Sequence, residues 1–132
     1  MTSMTRFIEM ARNFGRSDDP VVRQRLADAY IHGAVSRFNT QRAMAKIRAG
    51  QLPGPEMSIA KLSLTLNMMR IGKLVGEILG PRLVADTGEW GTYAFSEMVL
   101  GTPGMRVAGG TDEVMRNIVS ERVLGLPKEP KG

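Results

Sequence analysis

Three places in the sequence hold residue types whose spacing could support chemistry. Gly109-Gly110-Thr111 leads into a helical pattern. A glycine turn opening onto a helix leaves unpaired N–H groups and the positive end of the dipole pointing the same way, which is what a phosphate needs. Thr111 or Asp112 can cap those amides, so a plain helix start without a ligand uses the same residues. The neighbouring carboxylates Asp18-Asp19 and Asp112-Glu113 suit caps and first-turn acids better than an acid/base pair. His32 and Ser36 stand one helical turn apart, but no acid is expected on that face to orient the imidazole, so His32 reads as an ordinary helix residue.

Composition narrows the chemistry further. The 132 residues suffice for one domain, here 1–132, with a modest core. The chain has no cysteine and one histidine, which removes disulfides and thiolate chemistry and leaves no metal site to expect. No apolar run approaches the length of a bilayer span and no signal-peptide pattern opens the chain, so the expectation is a cytoplasmic protein without membrane contact. The net charge of +5 is concentrated between Pro20 and Pro55, where Arg23, Arg25, Arg37, Arg42, Lys46 and Arg48 face only Asp28. A solvated helix face accounts for that excess, with a phosphate-bearing ligand or an acidic subunit as the functional alternatives. Nucleic acid is not expected, since the few aromatic residues are not interleaved with the basic ones.

The elements that must position these residues are all helices. Residues 1–5 read as a frayed start, and Phe7, Ile8, Met10 and Ala11 form a short helical pattern ending at Gly15. Ser17-Asp18-Asp19-Pro20 signals a turn and a cap, with proline tolerated in the first helical turn. Val22, Leu26, Ala29, Tyr30, Gly33, Ala34, Phe38, Gln41 and Ala45 then make one broad stripe on a long helix reaching about Arg48. The turn Gly50 to Pro55 reverses the chain into a second long helix, Glu56 to Leu79, with Ile59, Leu62, Leu66, Met69, Leu74, Val75 and Ile78 inward and Lys61, Arg70 and Lys73 outside. Met44, Met57, Met68 and Met69 read as core filler. After a polar turn containing Trp90, a short helix runs from Thr92 to about Leu100, and Gly101-Thr102-Pro103-Gly104 should break it. The last helix turns Val114, Ile118 and Val119 to one side, leaves Arg116 and Glu121 for the other, and stops at Gly125 with Pro127 just beyond, before a flexible tail, 128–132. No strand pattern or internal repeat is visible, so the fold class is all-α, an antiparallel helix bundle with two long and several shorter helices.

The string from Arg106 to Pro127 closely resembles the last helix of flavin-dependent acyl-CoA dehydrogenases, where a Gly-Thr turn meets the flavin of an oligomeric partner. The likeness runs from about Phe7 to Pro127 and includes Pro55-Glu56-x-Ser58-x-x-Lys61, the Leu79-Gly80 turn and the Gly-Gly-Thr helix. It covers the C-terminal helical domain only, so the chain reads as a fragment or a truncated relative. The resemblance implies the α,β-oxidation of acyl-CoA thioesters in fatty acid metabolism, with a glutamate taking the α-proton and FAD receiving the hydride. It places the FAD contacts at Gly110, Thr111 and Glu113, and at Arg12 and Phe14 of Ala11-Arg12-Asn13-Phe14-Gly15, where the arginine is displaced by one place. The family's usual base position, immediately before the Gly-Thr turn, is Gly109, so no catalytic residue is expected. The family's Gln-x-x-Gly-Gly-x-Gly turn is here Glu77-Ile78-Leu79-Gly80-Pro81-Arg82-Leu83. The implied partners are a second copy or a full-length subunit, with acyl-CoA bound only in a complete assembly. A stand-alone helical interaction module that keeps the fold without the chemistry is the alternative.

Overall fold

In a computed structural model, residues 4–128 are described. Helix α1 spans Met4–Asn13, α2 Pro20–Arg48 and α3 Glu56–Leu79, followed by a 3-10 turn over Gly80–Val84. Helix α4 spans Thr92–Met105 and α5 Asp112–Ile118, which continues into a π-helical turn over Val119–Val123. No strand occurs among the described residues, and the architecture is the all-α bundle expected.

Two features set the ends of the long helices. The Asp19 carboxylate accepts from the N–H groups of Val21 and Val22, at 2.8 and 3.3 Å, with Pro20 in the first turn of α2. At the far end of α3, Gly80 takes φ +53°, the left-handed conformation that lets the chain leave a helix at once. Helix α3 is the central element, touching α1, α2, α4, α5 and both short turns. Of its residues only Met57 and Lys73 are exposed. The apolar core lies around its C-terminal half, where Leu74, Val75, Ile78 and Leu79 meet Phe7, Met10 and Ala11 of α1, Val22 and Ala29 of α2, and Phe95 of α4. Phe95 joins the Phe7 ring at 5.6 Å and Trp90 at 6.4 Å.

Several expectations are corrected by packing. Helix α1 already includes Met4 and Thr5, because Met4 packs on the core; residues 1–3 and 129–132 lie outside the described residues. On α2 the buried positions are Val22, Ala29, Ser36 and Ala43, a seven-residue repeat facing α3. Tyr30 and Phe38 from the predicted stripe instead face outward with Ile31 and Val35, each about half exposed, and Gln41 and Ala45 are exposed too. The helix carries apolar residues on both faces, and a single broad stripe could not separate them. Met44 and Met57 are exposed, whereas Met10 and Met115 are the buried methionines.

Helix α4 does not break at Gly101 but runs through Pro103 to Met105. Thr102 is buried and its hydroxyl donates to the Met98 carbonyl at 2.7 Å, so tertiary packing holds the turn in which Pro103 supplies no donor. In α5 the inward residues are Asp112 and Met115, while Val114 is exposed and Ile118 and Val119 are half-buried. Arg116 is exposed and Glu121 half-buried, pairing with Glu113 at 3.6 Å and Lys128 at 3.9 Å.

Candidate functional site

The Gly-Gly-Thr turn is built as the sequence suggests and held by residues that the sequence did not single out. Gly109 and Gly110 take φ +67° and +100°, and Thr111 Oγ1 accepts from the Val114 N–H at 3.2 Å as the cap of α5. The neighbouring Glu113 carboxylate, which accepts from its own backbone N–H and from the Thr111 hydroxyl, is held below the usual carboxylate range. A side chain at Gly109 would meet nothing, so that face of the turn is open; one at Gly110 would collide with the end of Met115.

Beneath the turn lies Asp112, only 1% exposed. Its carboxylate accepts from Arg106 Nε at 2.6 Å and from the Thr65 hydroxyl at 3.1 Å, with Lys61 Nζ at 3.7 Å. Lys61 also donates to the carbonyls of Gly110, at 2.6 Å, and Arg106, at 3.3 Å. Burial alone would raise the Asp112 pKa, but the hydrogen bonds from Arg106 and Thr65 and the two nearby cations outweigh it and hold the carboxyl below its ordinary value. Asp112 is therefore a buried anion that fastens the turn to α3, rather than only a first-turn acid. Lys61, expected to decorate the outer face of α3, is the strap between the Pro55-to-Lys61 motif and the Gly-Gly-Thr turn. The missed signal was the spacing Lys61–Thr65, one helical turn, which lets both residues reach one acceptor.

The second group of candidate residues lies at the other end of α3. Arg16 donates to the Glu77 carbonyl at 2.8 Å and to Asp19 at 2.6 Å, joining the turn after α1 to the end of α3. Phe14 is half-buried against the core, with the Arg82 guanidinium 5.2 Å from its ring centroid. Arg12 is exposed and lines a groove between α1 and α2 that also includes Asp18 and Tyr30. Glu77, where the amide of the resembling family would stand, pairs with Arg25 at 3.0 Å, so its charge is balanced inside the chain. Arg82 is held by Glu89 at 2.7 Å.

These two groups do not meet within one chain. Lys61 and Glu77 are separated by sixteen residues of continuous helix, about 24 Å at roughly 1.5 Å per residue. Gly110, Thr111 and Glu113 stand at one end of α3; Arg12 and Phe14 stand at the other.

The remaining candidates form no site. Asp18 and Asp19 divide into a groove residue and a cap. His32 does have an acid on its face, since Asp28 Oδ1 lies 3.2 Å from its Nε2, one turn earlier on α2. That corrects the expectation of none, but Asp28 is shared with Arg70 at 3.4 Å and Ser36 is buried against α3, so no nucleophile is presented. No cluster of His, Cys, Asp or Glu fit to hold a metal occurs among the described residues. No helix among them is long and apolar enough to cross a membrane.

Comparison with known proteins agrees with the architecture. Residues 1–124 match the family described as acyl-CoA dehydrogenase, C-terminal domain. The acyl-CoA dehydrogenase IpdE1 of Mycobacterium tuberculosis is 32% identical over 130 residues, which cover 98% of this chain and 33% of that protein. Its namesake in Mycolicibacterium smegmatis is 31% identical over 126 residues, 95% of this chain and 30% of that protein. The chain thus spans about a third of the length of these curated relatives. No solved structure matches it. With a match over nearly its whole length and the helical bundle described above, the chain belongs to the acyl-CoA dehydrogenase family, as its C-terminal domain.

Proposed function

We propose that this chain supplies FAD contacts and subunit packing surface to an acyl-CoA dehydrogenase-like assembly and is not catalytic alone. The observation that carries this reading is the separation of the two candidate groups. We take Gly110, Thr111 and Glu113 of one copy, and Arg12 and Phe14 of another or of a full-length partner, to meet the same flavin. The Gly-Gly-Thr end fits the cofactor. Its backbone is open at Gly109, Gly110 packs against Met115, and the network of Asp112, Lys61 and Arg106 fixes the turn from below. The other end fits less closely, because Arg82 is engaged by Glu89 and Pro81 offers no N–H.

FAD, when bound, would supply the hydride acceptor for an acyl-CoA brought by the complete assembly. This chain's own residues would bind and orient it. Gly109 cannot accept a proton, so the base must come from another chain or another part of a longer one. An FAD titration of the purified chain, followed by flavin fluorescence, tests the claim. Saturable binding weakened about tenfold in Thr111→Ala, the loss of about one hydrogen bond to a charged group, is the expected result. The same weakening is expected in Arg12→Ala. Binding unchanged in both variants would remove the site.

The outward face of α2 favours the second reading, a helical interaction module that has kept the fold without the chemistry. Tyr30, Ile31, Val35 and Phe38 form an exposed apolar stripe along this helix. Absence of any FAD binding, together with self-association through that stripe, would favour this reading over the first.

A further inference from the structure

Two of the basic residues of α2 that the flavin reading leaves unused, Arg42 and Lys46, line a separate cleft. Its walls are the C-terminal half of α2, the start of α3 and the π-helical turn, and its volume is about 280 Å³. For comparison, a cavity of about 150 Å³ already holds benzene. Ala43, Ile59 and Val123 contribute apolar surface, Asn39 an amide, and Arg42, Lys46 and Arg122 three cations drawn from two elements distant in sequence.

The charges there are not balanced. Glu56 is the sole acid of the lining and is engaged by Lys46 Nζ at 2.6 Å. That hydrogen bond, with the fields of Lys46 and Arg42, holds the Glu56 carboxyl below its usual range. Among the described residues, neither the Arg42 nor the Arg122 guanidinium has a carboxylate or hydrogen-bond partner. The first turn of α3 lies at the same cleft; its Met57 and Ser58 N–H groups donate to the Gly54 and Pro55 carbonyls at 3.1 and 3.0 Å, so this helix start contributes the field of its dipole rather than free donors. Three exposed cations thus line the cleft beside a single internal anion.

We propose that this cleft binds a phosphoryl group, held between Arg42 and Arg122 at the start of α3. A carboxylate is planar and is satisfied by one bidentate arginine. Guanidiniums from two separate elements, in the field of a helix start, suit the tetrahedral oxygens of a phosphate instead. Glu56 competes for the same cations, so the occupied state is one in which Lys46 turns from Glu56 toward the ligand. The site shares no residue with the Gly-Gly-Thr turn or with Arg12 and Phe14, and it stands whether or not the chain binds flavin.

Calorimetric titration of the purified chain at low ionic strength with inorganic pyrophosphate, and separately with ADP, tests the proposal. Arg42→Gln and Arg122→Gln should each weaken binding at least tenfold, Glu56→Gln should tighten it severalfold, and Lys73→Gln, which removes an exposed charge elsewhere, should leave it within twofold. Far-UV circular dichroism of each variant confirms that these surface changes leave the helices intact. ADP binding more tightly than pyrophosphate identifies a nucleotide ester as the natural form; equal affinity identifies the phosphoryl group alone. Either supports the site. No saturation by either probe below about 10 mM would overturn the proposal, as would affinities unchanged in both arginine variants or lowered as much by Lys73→Gln.

Discussion

At the scale of single residues, Asp112 decides how the Gly-Gly-Thr turn is held. It is buried with a negative charge, and three groups from two other segments are arranged to keep that charge. Asp112→Asn keeps the shape but removes a charge-assisted hydrogen bond, and should lower unfolding free energy by about 2 kcal/mol at pH 7 by urea denaturation. The pH dependence follows from the direction of the shift. A carboxyl whose folded pKa is depressed contributes stability above its unfolded value of about 3.9, and that contribution is lost as pH falls through the lower folded value. The gap between wild type and Asp112→Asn should thus be constant from pH 7 to about pH 5 and shrink below about pH 4; a gap unchanged at pH 3 would contradict this account. Lys61 acts on the same turn through backbone carbonyls, so Lys61→Met should loosen the turn, read as faster amide exchange at Gly110 and Thr111.

At the scale of elements, the cap of α2 and its seam with α3 set the stability of the bundle. Asp19→Ala removes the side-chain cap of α2 and one of the two acceptors of Arg16, and should lower Tm in a thermal melt while leaving the helical content unchanged. Ala29 is fully buried in the seam, and Ala29→Leu should cost about 1–3 kcal/mol through overpacking. Ile31→Leu, on the outward face, should change stability little. The boundaries of α2 and α3 were legible because proline, glycine and aspartate act locally, each on its own backbone. The length of α4 was not, since a buried Thr102 overrode the local signal of Gly101 to Gly104.

At the scale of the whole molecule, the apolar core occupies one half of α3 and the polar network around Asp112 the other, which leaves the outward face of α2 apolar and uncovered. Such a face drives association. The chain should sediment as a dimer or larger species, and Ile31→Lys with Phe38→Lys should shift it toward monomer while changing the unfolding free energy by less than about 1 kcal/mol, both side chains being half exposed already. A monomeric wild type in analytical ultracentrifugation would remove the packing role from the proposed function.

The sequence by itself determined the helical class, the positions of the two long helices and the Gly-Gly-Thr turn, because each rests on local backbone preference or periodicity. It also carried the family resemblance, which the comparisons establish. Only the tertiary structure decided which face of α2 is buried, that Asp112 and Lys61 hold the turn, and that Arg42 and Arg122, far apart in the chain, line one cleft. The reason is physical: these outcomes depend on long-range packing against α3, and neither helical periodicity nor net charge says which of two apolar faces, or which distant cations, will be brought together.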